Sequence, residues 1–143
     1  DCLLSRGLGD VYKRQVTHSD GLMLHGIGGW QNCLFSKCTI LAIPSIRKNN
    51  PIIVDDVTTL VGPGELIDVV VTERGIAINP LRDDLIKATK YSGLPIRGIN
   101  IIKSEIDELI ETPIPKPNLS DKVISAVKWV DGTLIDSIYK IAR

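Results

Sequence analysis

Residues 66–72 read LIDVVVT, a nearly continuous apolar run that contains a single charge, Asp68. A strand with one solvent-exposed face alternates apolar and polar residues, whereas a nearly continuous apolar run is typical of a strand that is covered on both faces. We therefore expect residues 66–72 to form the central strand of a sheet. Residues 76–78 are predicted to resume this strand after the intervening glycine, before a turn at Asn79-Pro80.

Shorter β-branched runs precede this strand, and helical patterns follow it. The predicted strands are bounded by prolines and by a Gly-Pro-Gly turn, and they cover residues 39–43, 52–54 and 57–61. The predicted helices have apolar residues at helical spacing, and they cover residues 82–91 and 99–110, with an extended piece at residues 95–97 between them. The order of these elements predicts an α/β layer architecture.

An Asp131-Gly132 dipeptide near the end of the chain separates two further runs, at residues 122–130 and 133–142. Asp-Gly is a strong hairpin signal, because glycine readily takes the positive φ that tight hairpin turns require. A C-terminal β-hairpin is therefore expected as an antiparallel addition. Residues 112–117 contain three prolines and predict a stiff connector before the hairpin.

The composition is that of an ordinary globular domain, with 143 residues of which 43% are hydrophobic and 24% are charged. The 17 basic residues equal the 17 acidic ones, so no basic field would attract nucleic acid or an anionic membrane surface. No apolar run approaches the roughly 18 residues of a membrane-spanning helix. We therefore expect one domain in the cytoplasm, with neither nucleic acid nor membrane as a partner.

The first fifteen residues, DCLLSRGLGDVYKRQ, show no helical or strand period. They are similar to a translated sequencing-adapter tract that recurs at the ends of metagenomic reading frames. We expect residues 1–15 to be a disordered, adapter-derived artefact and residues 16–143 to be a domain truncated on its N-terminal side. The alternative is a native, disordered N-terminal arm.

The glycine-rich sequence GIGG contains Gly26, Gly28 and Gly29. Backbone amides without side chains can cradle an anionic or carbonyl oxygen, helped here by the dipole of a helix predicted over residues 30–37. A tight turn is the alternative. Asn32 would either orient a ligand or cap the helix. A phosphate-binding loop would need lysine followed by serine or threonine after the glycines, which this chain lacks.

The tetrapeptide TERG at residues 72–75 ends the predicted central strand. Ligands of open α/β sheets gather at the carboxyl ends of the strands, so Glu73 and Arg74 are candidates for positioning a substrate. The alternative is an exposed ion pair, worth at most about 1 kcal/mol.

The cysteines predict no metal site. Cys33 and Cys38 have no second cysteine pair to complete a tetrahedral zinc site, and His18 and His25 lie on a glycine-rich stretch without fixed geometry. We expect both thiols to be small buried side chains.

Several segments together resemble the C-terminal part of the citrate lyase alpha subunit family. They are THSDG at residues 17–21, GIGG at residues 26–29, the block at residues 52–85 and KWVDGTLIDSIYKI at residues 128–141. The most specific is VDDVTTLVGPGELIDVVVTERGIAINP, whose VVTE followed by glycine also resembles class I CoA-transferases. For residues 16–143 the resemblance implies a C-terminal CoA-transferase-like domain, with a NagB/RpiA-like open sheet and flanking helices.

The resemblance implies that the intact subunit exchanges the acetyl group of acetyl-acyl-carrier protein for citrate, giving citryl-acyl-carrier protein and acetate. It implies citrate as substrate and the citrate lyase beta and gamma subunits as partners. The CoA-like phosphoribosyl-dephospho-CoA group is carried by the gamma subunit, the acyl carrier, and no cofactor is bound by this chain. The nucleophilic glutamate is expected upstream, so Glu73 is not given that role and the chain alone is expected to be inactive.

The residue pattern and the resemblance meet at the glycines. Carboxylate attack on a thioester develops negative charge on carbonyl oxygens, so the amides of Gly26, Gly28 and Gly29 are the hypothesised oxyanion and thioester donors. Relatives commonly carry histidine and aspartate soon afterwards, where this chain has Trp30 and Asn32, which argues against an acid-base role there. The alternatives are a noncatalytic carrier-protein or small-molecule binding domain of the same fold and, disfavoured by its missing phosphate motif, a nucleotide-binding domain.

Overall fold

The computed structural model describes residues 15–17, 23–25, 35–47, 49–55, 58–60, 62, 64–111 and 118–142, with the backbone alone at 15–17 and 23–25. The strands are β1 (Gln15–Thr17), β2 (Met23–His25), β3 (Ile40–Ala42), β4 (Ile46–Arg47), β5 (Asn50–Pro51), β6 (Val69–Thr72), β7 (Gly75–Ile78), β8 (Leu119–Lys128) and β9 (Leu134–Ile141). The helices are α1 (Asp83–Thr89) and α2 (Ile99–Leu109), and a 3₁₀ turn spans Gly64–Leu66.

The central strand predicted from the apolar run is confirmed as β6, the middle strand of a three-stranded sheet in the order β3-β6-β7. β3 and β6 run parallel with Ile40 opposite Val69. Val70 is fully buried, whereas Val69 and Val71, which point to the other face, are half-buried, so the expectation that both faces are covered is met on one face only. β6 begins later than predicted because Gly64–Leu66 is wound into the 3₁₀ turn.

The prediction that residues 76–78 resume the same strand is wrong. The chain reverses at Glu73-Arg74, and β7 returns antiparallel beside β6 with Thr72 opposite Gly75. Gly75 has φ +145°, a backbone conformation that L-residues with a side chain rarely adopt. The reversal therefore depends on a glycine at this position.

The predicted strand at residues 52–54 is also wrong. Strand pairing ends just before these residues, where β4 and β5 form a two-stranded antiparallel ladder. Residues 52–54 follow the ladder and do not pair with another strand. Ile52 and Ile53 are 5% and 2% exposed. Consecutive residues of a strand point to opposite faces, and bends here bring both side chains into one core instead. Residues 58–60 likewise lack strand structure, whereas residues 56, 57 and 61 lie outside the described ones.

Both predicted helices are confirmed. α2 has Ile102 and Ile106 fully buried on one face, whereas α1 buries none of its residues. The predicted extended piece lies beside β7, where the Ile76 amide donates to the Pro95 carbonyl at 3.0 Å and the Arg97 amide to the Ile76 carbonyl at 2.9 Å. The core consists of apolar side chains from the three-stranded sheet, its loops and α2: Ile43, Ile52, Ile53, Ile67, Val70, Ala77, Ile102, Ile106 and Ile110.

The C-terminal hairpin is confirmed as β8 and β9, which pair antiparallel. Gly132 has φ +88° at the turn, and the Trp129 amide donates to the Thr133 carbonyl at 2.8 Å. The Asp136 carboxylate accepts a hydrogen bond of 2.6 Å from the Leu60 amide, which ties the hairpin to the loop before the 3₁₀ turn.

Two expectations near β3 are corrected. Cys38 is exposed rather than buried, and Cys33 lies outside the described residues. Of the helix predicted over residues 30–37, only residues 35–37 are described, and they form a turn and bends. Phe35, the one large apolar side chain within residues 35–37, is 90% exposed, so these three residues contribute no apolar anchor to a helix.

The mixed α/β architecture is confirmed. The described part of the chain holds one sheet of three strands and three of two, so the larger NagB/RpiA-like open sheet stays a prediction. Neither of the helices in the described ranges has the length and apolar character needed to cross a bilayer.

Two neighbouring isoleucines on α2 test this packing. Ile102 is fully buried and Ile101 is 50% exposed. Ile102→Ala is expected to lower the free energy of unfolding by about 2–5 kcal/mol, because it removes buried methyl groups and leaves a cavity. Ile101→Ala, the same change one residue away, should stay within about 0.5 kcal/mol. Urea unfolding followed by circular dichroism measures both, and equal losses would contradict the described orientation of α2.

Candidate functional site

The carboxyl ends of β3 and β6 lie side by side because the two strands are parallel. The Ile43 amide, just after β3, donates to the Val71 carbonyl at 3.0 Å. Ser45 follows β3 closely along the chain, and Glu73 and Arg74 directly follow β6. We call Ser45, Glu73 and Arg74 the carboxyl-end cluster. Ligands of open α/β sheets bind at such strand ends, so this cluster is the candidate site.

Ser45 joins the other two members of the carboxyl-end cluster. Its side chain is fully buried. Its amide donates to Glu73 Oε2 at 2.9 Å, and its hydroxyl donates to Glu73 Oε1. The same hydroxyl oxygen accepts a hydrogen bond of 2.9 Å from Arg74 Nε. A residue 28 positions earlier in the chain than Glu73 therefore holds both side chains of the β6–β7 turn.

Glu73 is held in its charged form. Partial burial acts to raise the pKa of this carboxyl, but the hydrogen bonds from the Ser45 hydroxyl and amide outweigh it. The Arg74 guanidinium, with Nε 3.7 Å from Glu73 Oε1, acts in the same direction. The net result is a Glu73 pKa below its ordinary value, although the side chain is 53% exposed. The ion pair that was the alternative interpretation of Glu73 and Arg74 is thus present, and both side chains are also hydrogen-bonded to a buried serine.

Arg97 braces the backbone of the same turn. Its Nη1 donates to the Arg74 carbonyl at 3.0 Å and to Glu105 Oε2 on α2 at 2.9 Å, and its Nη2 contacts Glu105 Oε1. This contact raises the pKa of Arg97 and lowers that of Glu105. A Cβ at Gly75 would lie 2.8 Å from Arg97 Cδ, so a side chain there would displace the brace.

A second polar group lies at the amino ends of the same two strands. Asp68, 8% exposed, accepts a hydrogen bond of 2.7 Å from the Thr39 amide and pairs with Arg82 Nη1 at 2.6 Å. Arg82 also donates to both oxygens of Asp84, at 2.8 and 2.7 Å, which lowers the pKa of Asp84 to about 2. These carboxylates are fully engaged with Arg82 and the backbone, so we assign this end a structural role.

The carboxyl-end cluster differs because some of the hydrogen-bond donors of Arg74 are not used within the cluster. Its Nε is bonded to Ser45, whereas its two terminal nitrogens contact no acceptor in the ranges that the structure covers. The Arg74 side chain is 29% exposed. A guanidinium with a free two-nitrogen fork suits a carboxylate, which it can bind through two parallel hydrogen bonds.

The predicted site residues are thus divided. Glu73 and Arg74 are brought together, whereas Gly26, Gly28, Gly29 and Asn32 lie outside the described residues. Sequence reasoning missed Ser45, Arg97 and Glu105; the one available signal was that Ser45 is a polar residue just past a predicted strand. In the described part of the chain, no three histidine, cysteine or acidic side chains converge on a possible metal position.

The depressed pKa of Glu73 predicts a pH dependence. Because the folded pKa lies below the unfolded one, ionised Glu73 stabilises the fold above the unfolded value, and this contribution is lost as the pH falls through the folded pKa. Glu73→Gln should therefore be less stable than the parent at neutral pH, with the gap closing below about pH 4.3. Urea midpoints across pH measure it. Glu108→Gln, an exposed carboxylate on α2, is the control, and a pH-independent gap for Glu73→Gln would contradict the assigned contacts.

Comparisons with known proteins agree on one family. The family model described as citrate lyase, alpha subunit, matches residues 11–141. The citrate lyase alpha chains of Klebsiella pneumoniae and Escherichia coli K12 are 34% and 31% identical over 127 residues, which is 88% of this chain and 25% of theirs. This chain therefore spans a quarter of the length of those relatives.

A solved structure is similar as well. It is a protein from Streptococcus mutans described as the alpha subunit of citrate lyase in complex with citrate, with a TM-score of 0.80 and 35% identity. The similarity covers 90% of this chain and 25% of that one. On the family match and these identities, the chain belongs to the citrate lyase alpha subunit family.

Proposed function

We propose that residues 16–143 are the C-terminal part of a citrate lyase alpha subunit that exchanges the acetyl group of acetyl-acyl-carrier protein for citrate. The observation that carries the proposal is that a chain of this family presents Arg74, fixed by Ser45 and Glu73, where two parallel strands end. The citrate complex of the Streptococcus mutans protein supports a tricarboxylate as the ligand.

The reaction transfers the carrier thiol from an acetyl group to a citryl group. The acetyl C–S bond on the carrier breaks, and a C–S bond to a citrate carboxyl carbon finally forms. The upstream glutamate takes up the acetyl group first and loses one carboxyl oxygen to the departing acetate, and an oxygen from the reacting citrate carboxyl then restores the glutamate. Each attack of a carboxylate on a thioester places negative charge on a carbonyl oxygen. Amide donors fixed in advance stabilise that charge, by about 2.7–4 kcal/mol per donor. We assign this task to Gly26, Gly28 and Gly29, with Asn32 as a further polar group near the substrate.

Arg74 supplies the complementary contact to the acid. Citrate carries three carboxylates, and a carboxylate that does not react must be held while another is activated. Arg74 can form a bidentate contact through its terminal nitrogens, because Nε is already committed to Ser45. Glu73 has its carboxylate oxygens occupied by Ser45, so its role is to shape the site and balance the charge of Arg74 rather than to attack the thioester.

The proposal includes partners. We place the subunit in the cytoplasm, with the beta subunit cleaving the citryl thioester and the gamma subunit carrying the CoA-like phosphoribosyl-dephospho-CoA group. The nucleophile is assigned to the upstream part of the subunit. The only prosthetic group in the proposal is the one carried by the gamma subunit, and no cofactor is assigned to this chain. The alpha-chain names of the relatives support a citrate lyase context.

Acetate release tests the proposed function. The complete alpha subunit that carries residues 16–143, called the complete subunit below, is mixed with radiolabelled acetyl-acyl-carrier protein. We expect acetate release beyond one equivalent per subunit only when citrate is added, and residues 16–143 alone to release none. Citrate-independent binding of the carrier without acetate release would instead indicate a noncatalytic binding domain and overturn the proposal.

Gly28→Pro tests the proposed oxyanion donors. Proline has no N–H, so this change in the complete subunit should lower the exchange rate by about 100-fold or more. Gly28→Ala keeps the amide and is the matched control. Thermal melts of both variants monitor folding. Unchanged turnover in a folded Gly28→Pro subunit would refute the role of this amide.

A further inference from the structure

We propose that Ser45 is a positioning residue, which holds the Arg74 guanidinium so that its two terminal nitrogens meet a carboxylate of the substrate. The inference deepens the proposed function and rests on it. Ser45 does not touch the substrate in this account, because its side chain is fully buried. It acts through the single hydrogen bond that it accepts from Arg74 Nε.

The Ser45 hydroxyl has one possible hydrogen-bond arrangement. An arginine side chain only donates, so the contact with Arg74 Nε uses a lone pair of the Ser45 oxygen. The hydroxyl proton is then left for the Glu73 carboxylate, which only accepts while it is charged. The direction of each bond is therefore fixed, and Ser45 links the carboxylate to the guanidinium.

Two independent contacts fix Arg74. Arg97 holds its backbone through the Arg74 carbonyl at 3.0 Å, and Ser45 holds its side chain through Nε at 2.9 Å. An arginine side chain otherwise samples many rotamers, and ordering it on binding weakens affinity. Because Nε is bonded to Ser45, the two terminal nitrogens, Nη1 and Nη2, are the donors that remain for a ligand. The arrangement prepares Arg74 for a planar carboxylate before the substrate arrives.

The position of Ser45 explains why this residue can act on the turn. Ser45 lies past the end of β3, next to the end of β6, because the two strands are parallel. Its amide and carbonyl are also engaged, with Glu73 Oε2 and with the Ile52 amide at 2.9 Å. Removing the hydroxyl alone would leave these backbone contacts in place. Ser45→Ala is therefore expected to release the Arg74 side chain without displacing the strand.

Steady-state kinetics of the complete subunit test the inference. Ser45→Ala should raise KM for citrate by up to about tenfold, because the Arg74 side chain must then be ordered when citrate binds, and leave kcat and KM for acetyl-acyl-carrier protein unchanged. Arg74→Gln should raise KM for citrate at least as much. Because Ser45 acts through Arg74, adding Ser45→Ala to Arg74→Gln should cause no further rise. Ser104→Ala, an exposed serine on α2, is the control and should match the parent.

The outcomes separate the inference from the proposed function. If Arg74→Gln raises KM for citrate and a folded Ser45→Ala does not, Ser45 is not a positioning residue and the proposed function stands. If Ser45→Ala changes both KM values and lowers the melting temperature, its role is merely structural and the inference fails. A parent subunit without citrate-dependent exchange overturns both. Should Ser45→Ala not fold, Arg74→Lys replaces it, since lysine keeps the charge but loses Nε; an unchanged KM for citrate would then contradict the inference.

Discussion

The parallel pairing of β3 with β6 is the constraint on which the described structure depends. Its register sets Ile40 opposite Val69 and Ala42 opposite Val71. A parallel pair brings like ends together, so polar residues distant in sequence meet at both ends of a short apolar ladder. The buried Val70 and the isoleucines of α2 hold this ladder from the core side. The polar contacts of Ser45 and of Asp68 are possible only while that pairing is kept.

The two ends of the pair use charge differently. At the amino end, the buried Asp68 carboxylate is compensated by Arg82, and the two nitrogens of Arg82 that do not contact Asp68 are directed to Asp84. A buried carboxylate without such a partner would be strongly destabilising. The charged groups at this end therefore bind one another, and none of the three is left for a ligand. At the carboxyl end, a neutral buried serine binds one nitrogen of Arg74, and the two terminal nitrogens have no acceptor among the residues that the structure describes. This asymmetry is the physical reason for assigning substrate contact to one end and stability to the other.

Local sequence signals predicted local structure well. The apolar run at residues 66–72 identified the central strand, the helical spacing identified α1 and α2, and Asp131-Gly132 identified the hairpin. These features depend on neighbours within a few positions. The reversal at Glu73-Arg74 was missed because β7 reads as a continuation of the apolar run, and only the positive φ of Gly75 separates the two strands.

The site was predicted only in part. Glu73 and Arg74 could be found from their place after a strand, whereas Ser45 depends on a contact across 28 residues and Arg97 on its pairing with α2. Neither contact leaves a pattern in the sequence. Gly26, Gly28 and Gly29 stay predictions, since the structure does not describe them.

A crystal structure of the complete subunit with citrate tests the central claim most directly, namely that the carboxyl-end cluster receives the substrate. The account predicts a citrate carboxylate within hydrogen-bonding distance of both terminal nitrogens of Arg74, with Nε still bonded to the Ser45 hydroxyl. Citrate bound elsewhere, with Arg74 pointing into solvent or paired with another protein carboxylate, would contradict it.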